Sequence, residues 1–306
     1  MIAPSPKKSK RLGQHFLIEQ QYLARIGEQL AIQPNEHIIE IGAGDGALTT
    51  LLAQSGVRVT ALEFDGRRIP LLRKRFAPYR NLRVIEGDAL SISCSQLLNW
   101  EPEDIGLEHM GKQCANASAR MVGNLPYNIA SQIILRFAPC AQIEQLTFML
   151  QRELAQRLTA PPDCGDYGRF TLSVKLWRDA QMHFDIPPGA FDPPPKVTSS
   201  LVTLGPLRPL CANRDERAAF DRLVQAAFAQ RRKQLRNSLA GVINKAQISA
   251  KGINPHARAE NLRVEDFLCL ARAMCAHMHN GSLKKPLANH SSDLDDVPKS
   301  RRKEEA

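Results

Sequence analysis

The chain has 306 residues, of which 43% are hydrophobic and 24% are charged, and this ordinary globular composition excludes wholesale disorder. Lys and Arg outnumber Asp and Glu by 41 to 31, so the formal net charge is +10, which favours a polyanionic partner such as nucleic acid. No apolar run approaches the roughly 18 residues that a membrane span needs. Seven scattered cysteines without a C-x-x-C pair favour reduced thiols over disulfides or a metal site. We therefore expect a soluble, cytoplasmic protein without a membrane partner.

Strands and helices alternate along the first half of the chain. Residues 1–12 are polar and basic and are predicted to be flexible. The predicted strands are 37–41, 57–62, 82–85, 120–122 and 147–150, and the predicted helices are 18–31, 47–54, 67–76 and 152–158. Residues 91–120 lack a clear period, and we interpret them as a helix plus a surface insertion. This alternation predicts an α/β fold with a doubly wound, mainly parallel sheet over residues 13–205.

The pattern changes after the proline-rich loop at 187–195. Apolar residues then recur at helical spacing in two segments, 220–228 and 264–271, which predicts a small all-helical domain over 206–280. From 281 to 306 aromatic residues are missing and both charges mix with Pro and Ser, so this tail is predicted to be disordered.

A glycine loop, Glu40-Ile41-Gly42-Ala43-Gly44-Asp45-Gly46-Ala47, follows the first predicted strand. Glycines there let the backbone approach a ligand, and the following helix offers unpaired N–H groups. Glu63 ends the second strand 21 residues after Gly42, where a carboxylate can accept both hydroxyls of a ribose. The loop also satisfies the dinucleotide fingerprint, which leaves a nicotinamide dehydrogenase open. Asp88, at the end of the third strand, favours a nucleoside cofactor whose adenine amino group it would accept, although a helix N-cap is an equal interpretation.

The segment Asn124-Leu125-Pro126-Tyr127 stands at the carboxyl end of the fourth predicted strand, the edge where open α/β sheets bind ligands. An exocyclic amine such as adenine N6 is a poor nucleophile, and a site can help by accepting its N–H groups with the Asn124 side chain and a backbone carbonyl. Tyr127 offers a face on which a base can stack. A turn is the alternative for any Asn-x-Pro sequence, but a dehydrogenase has no use for these four residues together.

These motifs resemble the ribosomal RNA adenine N6-dimethyltransferase family. The resemblance covers about residues 10–275, and the matching segments, in family order, are GQHFL (13–17), EIGAGDG (40–46), LEFD (62–65), GDA (87–89), GNLPY (123–127), QRE (151–153), YGR (167–169), FDPPPKV (191–197), FAQRRK (228–233) and RAENL (258–262). It implies a Rossmann-like class I methyltransferase domain that uses S-adenosylmethionine and no metal. Its implied cofactor-binding residues are His15, Leu17, Gly42, Gly44, Glu63, Phe64, Asp88, Ala89 and Asn124.

The resemblance also implies how the substrate is held. An adenine flipped out of its RNA loop would lie between Tyr127 and Phe191, with Asn124, Leu125 and Pro126 positioning N6. The alternative for Phe191 is that its ring only packs the proline-rich loop, and for His15 that it is a packed core residue. RNA contacts are expected at Lys196 and at a basic cluster that crowds about one turn of a helix, formed by Arg231, Arg232, Lys233 and Arg236.

The expected activity is methyl transfer to N6 of two adjacent adenosines of small-subunit (16S) ribosomal RNA, giving N6,N6-dimethyladenosine, by a monomer that acts on the small ribosomal subunit. Two other functions stay open. One is methylation of large-subunit (23S) rRNA, as in enzymes of the macrolide-resistance type. The other is a ribosome-assembly factor that acts mainly by binding.

Overall fold

The computed structural model describes residues 14–99 and 118–279. The predictions for 1–12, for 281–306 and for most of the insertion in 91–120 lie outside the described residues. The strands are β1 Phe16–Leu17, β2 His37–Ile41, β3 Arg58–Glu63, β4 Leu82–Glu86, β5 Ala119–Asn124, β6 Ile143–Gln151, β7 Ala180–Ile186, β8 Phe191–Asp192 and β9 Ser199–Leu204. The helices are α1 Gln20–Leu30, α2 Ala47–Gln54, α3 Ile69–Phe76, α4 Cys94–Leu98, α5 Ala130–Phe137, α6 Arg152–Thr159, α7 Arg169–Lys175, α8 Arg214–Ala229, α9 Leu235–Ser238, α10 Lys245–Ser249 and α11 Val264–His279.

A seven-stranded sheet in the order β4-β3-β2-β5-β6-β9-β7 forms the centre of the protein. The strands from β4 to β6 are parallel, while β9 runs antiparallel to both of its neighbours, β6 and β7. Every residue of β2 is buried, as expected for a strand covered by helices on both faces. The predicted α/β fold with a mainly parallel sheet is confirmed. The elements β7, β9, α5 and α7 have no counterpart among the predicted strands and helices.

The register of the sheet brings four strand ends to one edge. Ile41 pairs with Leu62, and Glu63 pairs with Glu86. Asn124 ends the neighbouring β5 on the other side of β2. Because parallel strands share the direction of their carboxyl ends, the glycine loop after β2, Glu63 and Asn124 converge in space.

The helices after residue 206 pack against the part of the chain that contains the sheet. One buried cluster joins Leu223 of α8 and Phe267 of α11 to Tyr167 and Leu172. The Tyr167 hydroxyl also donates to the Leu262 carbonyl at 2.8 Å. Apolar contacts therefore cross the predicted domain boundary at residue 205.

No helix in the described ranges combines the length and the apolar character that crossing a membrane requires. Over the same ranges, no group of three or more His, Cys, Asp or Glu side chains is arranged to hold a metal ion. The six described cysteines are free thiols.

Candidate functional site

A cavity of about 270 Å³ opens at the carboxyl edge of the sheet. Its lining includes eleven residues that were predicted for the site: His15, Gly42, Gly44, Glu63, Phe64, Asp88, Ala89, Asn124, Leu125, Pro126 and Tyr127. Gln14, Phe16, Leu90, Ile129 and Ile133 also contribute and were not predicted. One cavity thus joins the glycine loop, the acidic strand ends and the segment 124–127.

Glu63 and the glycine loop are held together by backbone donors. The Gly44 N–H donates to Glu63 Oε2 at 2.7 Å, and the Asp65 N–H donates to Oε1 at 2.8 Å. Burial raises the pKa of the Glu63 carboxyl above its ordinary value, and the hydrogen bonds from these two donors offset only part of that rise. Since each carboxylate oxygen has two acceptor positions, both oxygens can still accept from a ligand.

At Gly44, the glycine loop lies close against Phe16 of the N-terminal segment, and both segments line the cavity. The φ of Gly44 is +58°, and a Cβ added there would lie 2.6 Å from the Phe16 ring. A side chain at this position would be strained by the left-handed conformation and would push the ring away. Glycine is therefore required where the N-terminal segment crosses the loop.

Arg68 is almost fully buried, and its side chain binds the glycine loop. It forms an ion pair with Asp45 of the loop, and its Nε lies 3.6 Å from Asp65 Oδ2. Its guanidinium carbon lies 4.3 Å from the centre of the Phe16 ring, a cation–π contact. Gln14 donates to Asp65 Oδ2 at 3.1 Å, so the N-terminal segment and the loop share one network.

Asn124 has a defined orientation in the cavity. Its Nδ2 donates to the His15 carbonyl at 2.6 Å. Rotating the amide by half a turn would set two carbonyl oxygens against each other, so the orientation is fixed. Oδ1 is consequently the atom of this side chain that can accept a hydrogen bond from a ligand.

His15 stacks on Tyr127, with the ring centres 5.5 Å apart and the planes inclined by 23°. Its Nδ1 lies 2.7 Å from the Pro193 carbonyl, and because a carbonyl only accepts, Nδ1 carries the proton. The Tyr127 hydroxyl lies 2.6 Å from Ser199 Oγ. His15 therefore links the proline-rich loop to the tyrosine that borders the cavity.

Leu17 and Phe191 lie outside the lining of this cavity. The two residues pair across the short β1–β8 ladder, and both side chains enter a buried cluster. Phe191 is 2% exposed and Leu17 is 5% exposed, and neither lines the cavity. The ring of Phe191 packs the loop, and the aromatic neighbour of Tyr127 is His15.

Asp88 and Phe64 both line the cavity. Asp88 Oδ1 accepts from the Leu90 N–H at 2.8 Å, so one oxygen caps the turn after β4. Its Oδ2 has no hydrogen-bond partner within 14–99 and 118–279. Phe64 is 60% exposed although it lines the cavity, which places an apolar ring at the mouth.

The predicted basic cluster is not on one helical turn. Arg231, Arg232 and Lys233 lie in the turn between α8 and α9, and only Arg236 is helical. Arg231 is partly engaged, because its Nε donates to Glu260 at 2.9 Å and its Nη2 donates to the Cys164 carbonyl at 3.1 Å. The other three are exposed, as is Lys196, which lies in the proline-rich loop outside the cavity.

Comparison with known proteins identifies the family. The family model described as Ribosomal RNA adenine dimethylase matches residues 5–274. The chain belongs to the ribosomal RNA adenine dimethylase family. A relative from Xylella fastidiosa, named Ribosomal RNA small subunit methyltransferase A, is 40% identical over 86% of this chain and 95% of its own length. A protein of the same name from Xanthomonas axonopodis pv. citri is 37% identical over 89% of this chain and 98% of its own length.

Two solved structures share the fold of this ribosomal RNA adenine dimethylase. A dimethyladenosine transferase from Plasmodium falciparum is 23% identical, with a TM-score of 0.65, and covers 87% of this chain and 98% of its own. The 23S rRNA methyltransferase ErmE is 24% identical, with a TM-score of 0.63, and covers 85% of this chain and 99% of its own. Adenine methylation in this family uses S-adenosylmethionine as the methyl donor.

The cavity of this dimethylase fits that cofactor. Glu63 presents a buried carboxylate with an acceptor position on each oxygen, as a ribose with two hydroxyls requires. Asp88 Oδ2 and the apolar ring of Phe64 suit an adenine with an amino group and a flat face. Gly44 lets the Phe16 ring lie against the glycine loop in the wall of the cavity, where a Cβ would displace the ring.

We expect Glu63→Ala to weaken binding of S-adenosylmethionine, because up to two charge-assisted hydrogen bonds of roughly 1.5–3 kcal/mol each disappear. Calorimetric titration measures the change. Glu63→Gln tests whether a folding defect explains the weaker binding. Its amide oxygen still accepts from one of the two backbone N–H groups, those of Gly44 and Asp65, that hold the Glu63 side chain. The control is Glu86→Ala, which alters the exposed cross-strand neighbour. Unchanged affinity in Glu63→Ala would remove this residue from the cofactor site.

We expect stability to depend on pH through Glu40, which is buried at the end of β2 and accepts from Thr49 Oγ1 at 2.6 Å. Burial raises its pKa to about 8. A raised folded-state pKa means that stability is full below the ordinary carboxyl pKa and is lost as the pH rises through about 8. From pH 6 to pH 9, Glu40→Gln should lose less stability than the wild type, by roughly 2–4 kcal/mol. Urea unfolding at both pH values measures this, and Glu28→Gln on the exposed face of α1 should follow the wild type.

Proposed function

We propose that this protein transfers methyl groups from S-adenosylmethionine to N6 of two adjacent adenosines in small-subunit (16S) ribosomal RNA. The observation that carries the proposal is the segment Asn124–Tyr127 bordering the cofactor cavity at the end of β5. The RNA substrate is supported by relatives at 37–40% identity that are named small-subunit methyltransferases. The 23S rRNA methyltransferase ErmE shares the fold at 24% identity, and a likeness of that size supports the fold and not the substrate. The proposed enzyme is a cytoplasmic monomer that needs no metal.

The protein's part in this chemistry is to hold the amine. Asn124 Oδ1 accepts one N–H of adenine N6, because its own amide N–H is committed to His15. The Pro126 carbonyl already accepts from the Ile129 N–H at 3.1 Å, so the Leu125 carbonyl, which has no partner among the described residues, is the better second acceptor. When bound, S-adenosylmethionine supplies a methyl group on a positively charged sulfur.

No strong base is required for this reaction. The methylated amine is acidic and releases its proton to water, so the site needs acceptors and exclusion of solvent more than a titrating group. The lining beside the segment 124–127 is apolar, with Ile129 and Ile133 on α5 and its approach. Proximity and desolvation therefore supply most of the rate.

The adenine cannot lie between Tyr127 and His15, because rings 5.5 Å apart are already in stacking contact. Phe191 is buried and provides no second face. We propose that the target base stacks against Tyr127 alone on the protein side. His15 then acts as a support that fixes the tyrosine ring.

The RNA backbone would be bound by exposed cations in the helical segment after residue 206. Arg232, Lys233 and Arg236 are exposed near the α8–α9 turn, and residues 206–250 contain nine basic and three acidic residues. Such a one-sided charge suits phosphate binding, which weakens with salt. Lys196 adds a cation on the proline-rich loop.

The decisive experiment is to incubate undermethylated small subunits with the protein and S-adenosylmethionine, and to map the added methyl groups by mass spectrometry. The expected result is a gain of four methyl groups on two neighbouring adenosines. Large subunits treated in the same way are the control. Methylation of the large-subunit RNA instead, or binding to small subunits without any methyl transfer, would overturn the proposal.

A further inference from the structure

Tyr127 borders a second cavity that the chemistry above does not use. This groove, of about 510 Å³, lies between α5, α6 and α7. Ser131 and Leu135 of α5 form one wall, and Arg157 of α6 and Phe170 of α7 form the other. Its volume lies within the range of about 300–1,000 Å³ that is usual for small-ligand sites.

Two arginines line the groove. Arg157 and Arg169 are both exposed, and neither forms an ion pair within residues 14–99 and 118–279. Other arginines nearby are engaged, as Arg152 is with Asp185 at 3.4 Å. A guanidinium presents its donors in a planar fork that matches a phosphate. Two such groups facing one groove favour an anionic ligand.

An aromatic ring lies beside these charges. Phe170 is partly exposed, and the guanidinium carbon of Arg157 lies 6.0 Å from the centre of its ring. Leu135, 40% exposed, adds apolar surface to the opposite wall. A base can stack on such a ring, and the exposed carboxylate of Glu153 can accept from a base amino group. Phosphate-binding and base-binding groups thus occur together.

We propose that this groove binds the nucleotide next to the target adenosine in the RNA strand. The inference rests on the proposed function, since it names where the rest of that substrate lies. Tyr127 lines both cavities, so a base stacked on it continues directly into the groove. An enzyme that modifies two adjacent adenosines must hold the second while the first reacts. Arg157 and Arg169 bind its phosphate, and Phe170 stacks its base.

The test compares the double variant Arg157→Gln/Arg169→Gln with the wild type on undermethylated small subunits. We expect the KM for the subunit to rise roughly tenfold or more, the size of one or two charge-assisted hydrogen bonds, with kcat nearly unchanged. The log–log salt slope of binding to a short single-stranded oligoadenylate should fall by about 0.7 for each lost phosphate contact. Phe170→Leu, which keeps the apolar bulk, should raise the KM without changing the salt slope.

Arg208→Gln is the matched control. Arg208 is exposed and pairs with Asp179 beyond the end of β9, at the opposite edge of the sheet from Tyr127. Removing its charge should leave the KM and the salt slope near the wild-type values. Affinity for S-adenosylmethionine should be unchanged in every variant, which shows that the cofactor cavity is intact.

The two proposals fail in different ways. A wild-type protein that leaves small subunits unmethylated contradicts the proposed function, whatever the variants do. If the wild type methylates them and the double variant has the same KM and the same salt slope, the groove does not bind RNA. A loss of kcat with unchanged KM would also overturn the inference, because it would place the arginines in the chemistry instead of in RNA binding.

Discussion

Asn124→Ala is expected to lose about two to three orders of magnitude in methyl transfer. The change removes the acceptor for N6, and a reacting group that is mispositioned by about 1 Å already costs about 10²-fold. It also frees the His15 carbonyl, to which Asn124 Nδ2 donates at 2.6 Å. Single-turnover methylation of small subunits at saturating cofactor measures the loss.

Two further variants separate these effects. Asn124→Asp keeps acceptor oxygens but sets a carboxylate against the His15 carbonyl, so we expect a loss nearly as large. Asn128→Ala changes the same residue type four positions later, at an exposed site that also lines the cavity, and should retain activity. If Asn124→Ala methylates within tenfold of the wild type, the amine is held by other atoms and the assignment is wrong.

The strand ends were predictable because local signals and topology agree there. Glycines, Glu63 and Asn124 each follow a short apolar run, and a parallel sheet brings such ends to one edge whatever the details of packing. The short antiparallel strands β7 and β9 gave no such signal. Their alternation is weak, and β7 is broken by a register shift between Met182 and Phe184.

The inward or outward direction of single side chains was less predictable. Leu17 and Phe191 lie in motifs of the right family, but their side chains are directed by the β1–β8 pairing, a contact between residues far apart in the sequence. The stacking of His15 on Tyr127 and the burial of Arg68 under the glycine loop have the same origin. Motif spacing predicts which backbone segments meet, whereas long-range packing decides which atoms face the ligand.

Arg178 is expected to be among the most sensitive positions for stability. It is 1% exposed, and its guanidinium donates to the carbonyls of five residues: Ala138, Cys140, Ile143, Glu144 and Gly205. These carbonyls belong to the turn after α5, to the first two residues of β6 and to Gly205 just after β9. One side chain therefore joins these segments at the end of the sheet where β6 begins. Burial lowers the pKa of Arg178 to about 10, and the group stays charged at neutral pH.

We expect Arg178→Met to lower the free energy of unfolding by roughly 3–5 kcal/mol, because five carbonyls each lose a hydrogen bond from a buried guanidinium at once. Arg178→Lys should recover only part of this, since an ammonium has three donors and cannot reproduce the planar fork. Urea unfolding at neutral pH measures both changes, with Arg208→Met as an exposed control. A loss below about 1 kcal/mol in Arg178→Met would mean that water replaces the guanidinium at these carbonyls. Variants at the two ends of the sheet should therefore have different effects. Arg178 variants are expected to lower the free energy of unfolding, whereas Asn124 variants are expected to lower the rate of methyl transfer.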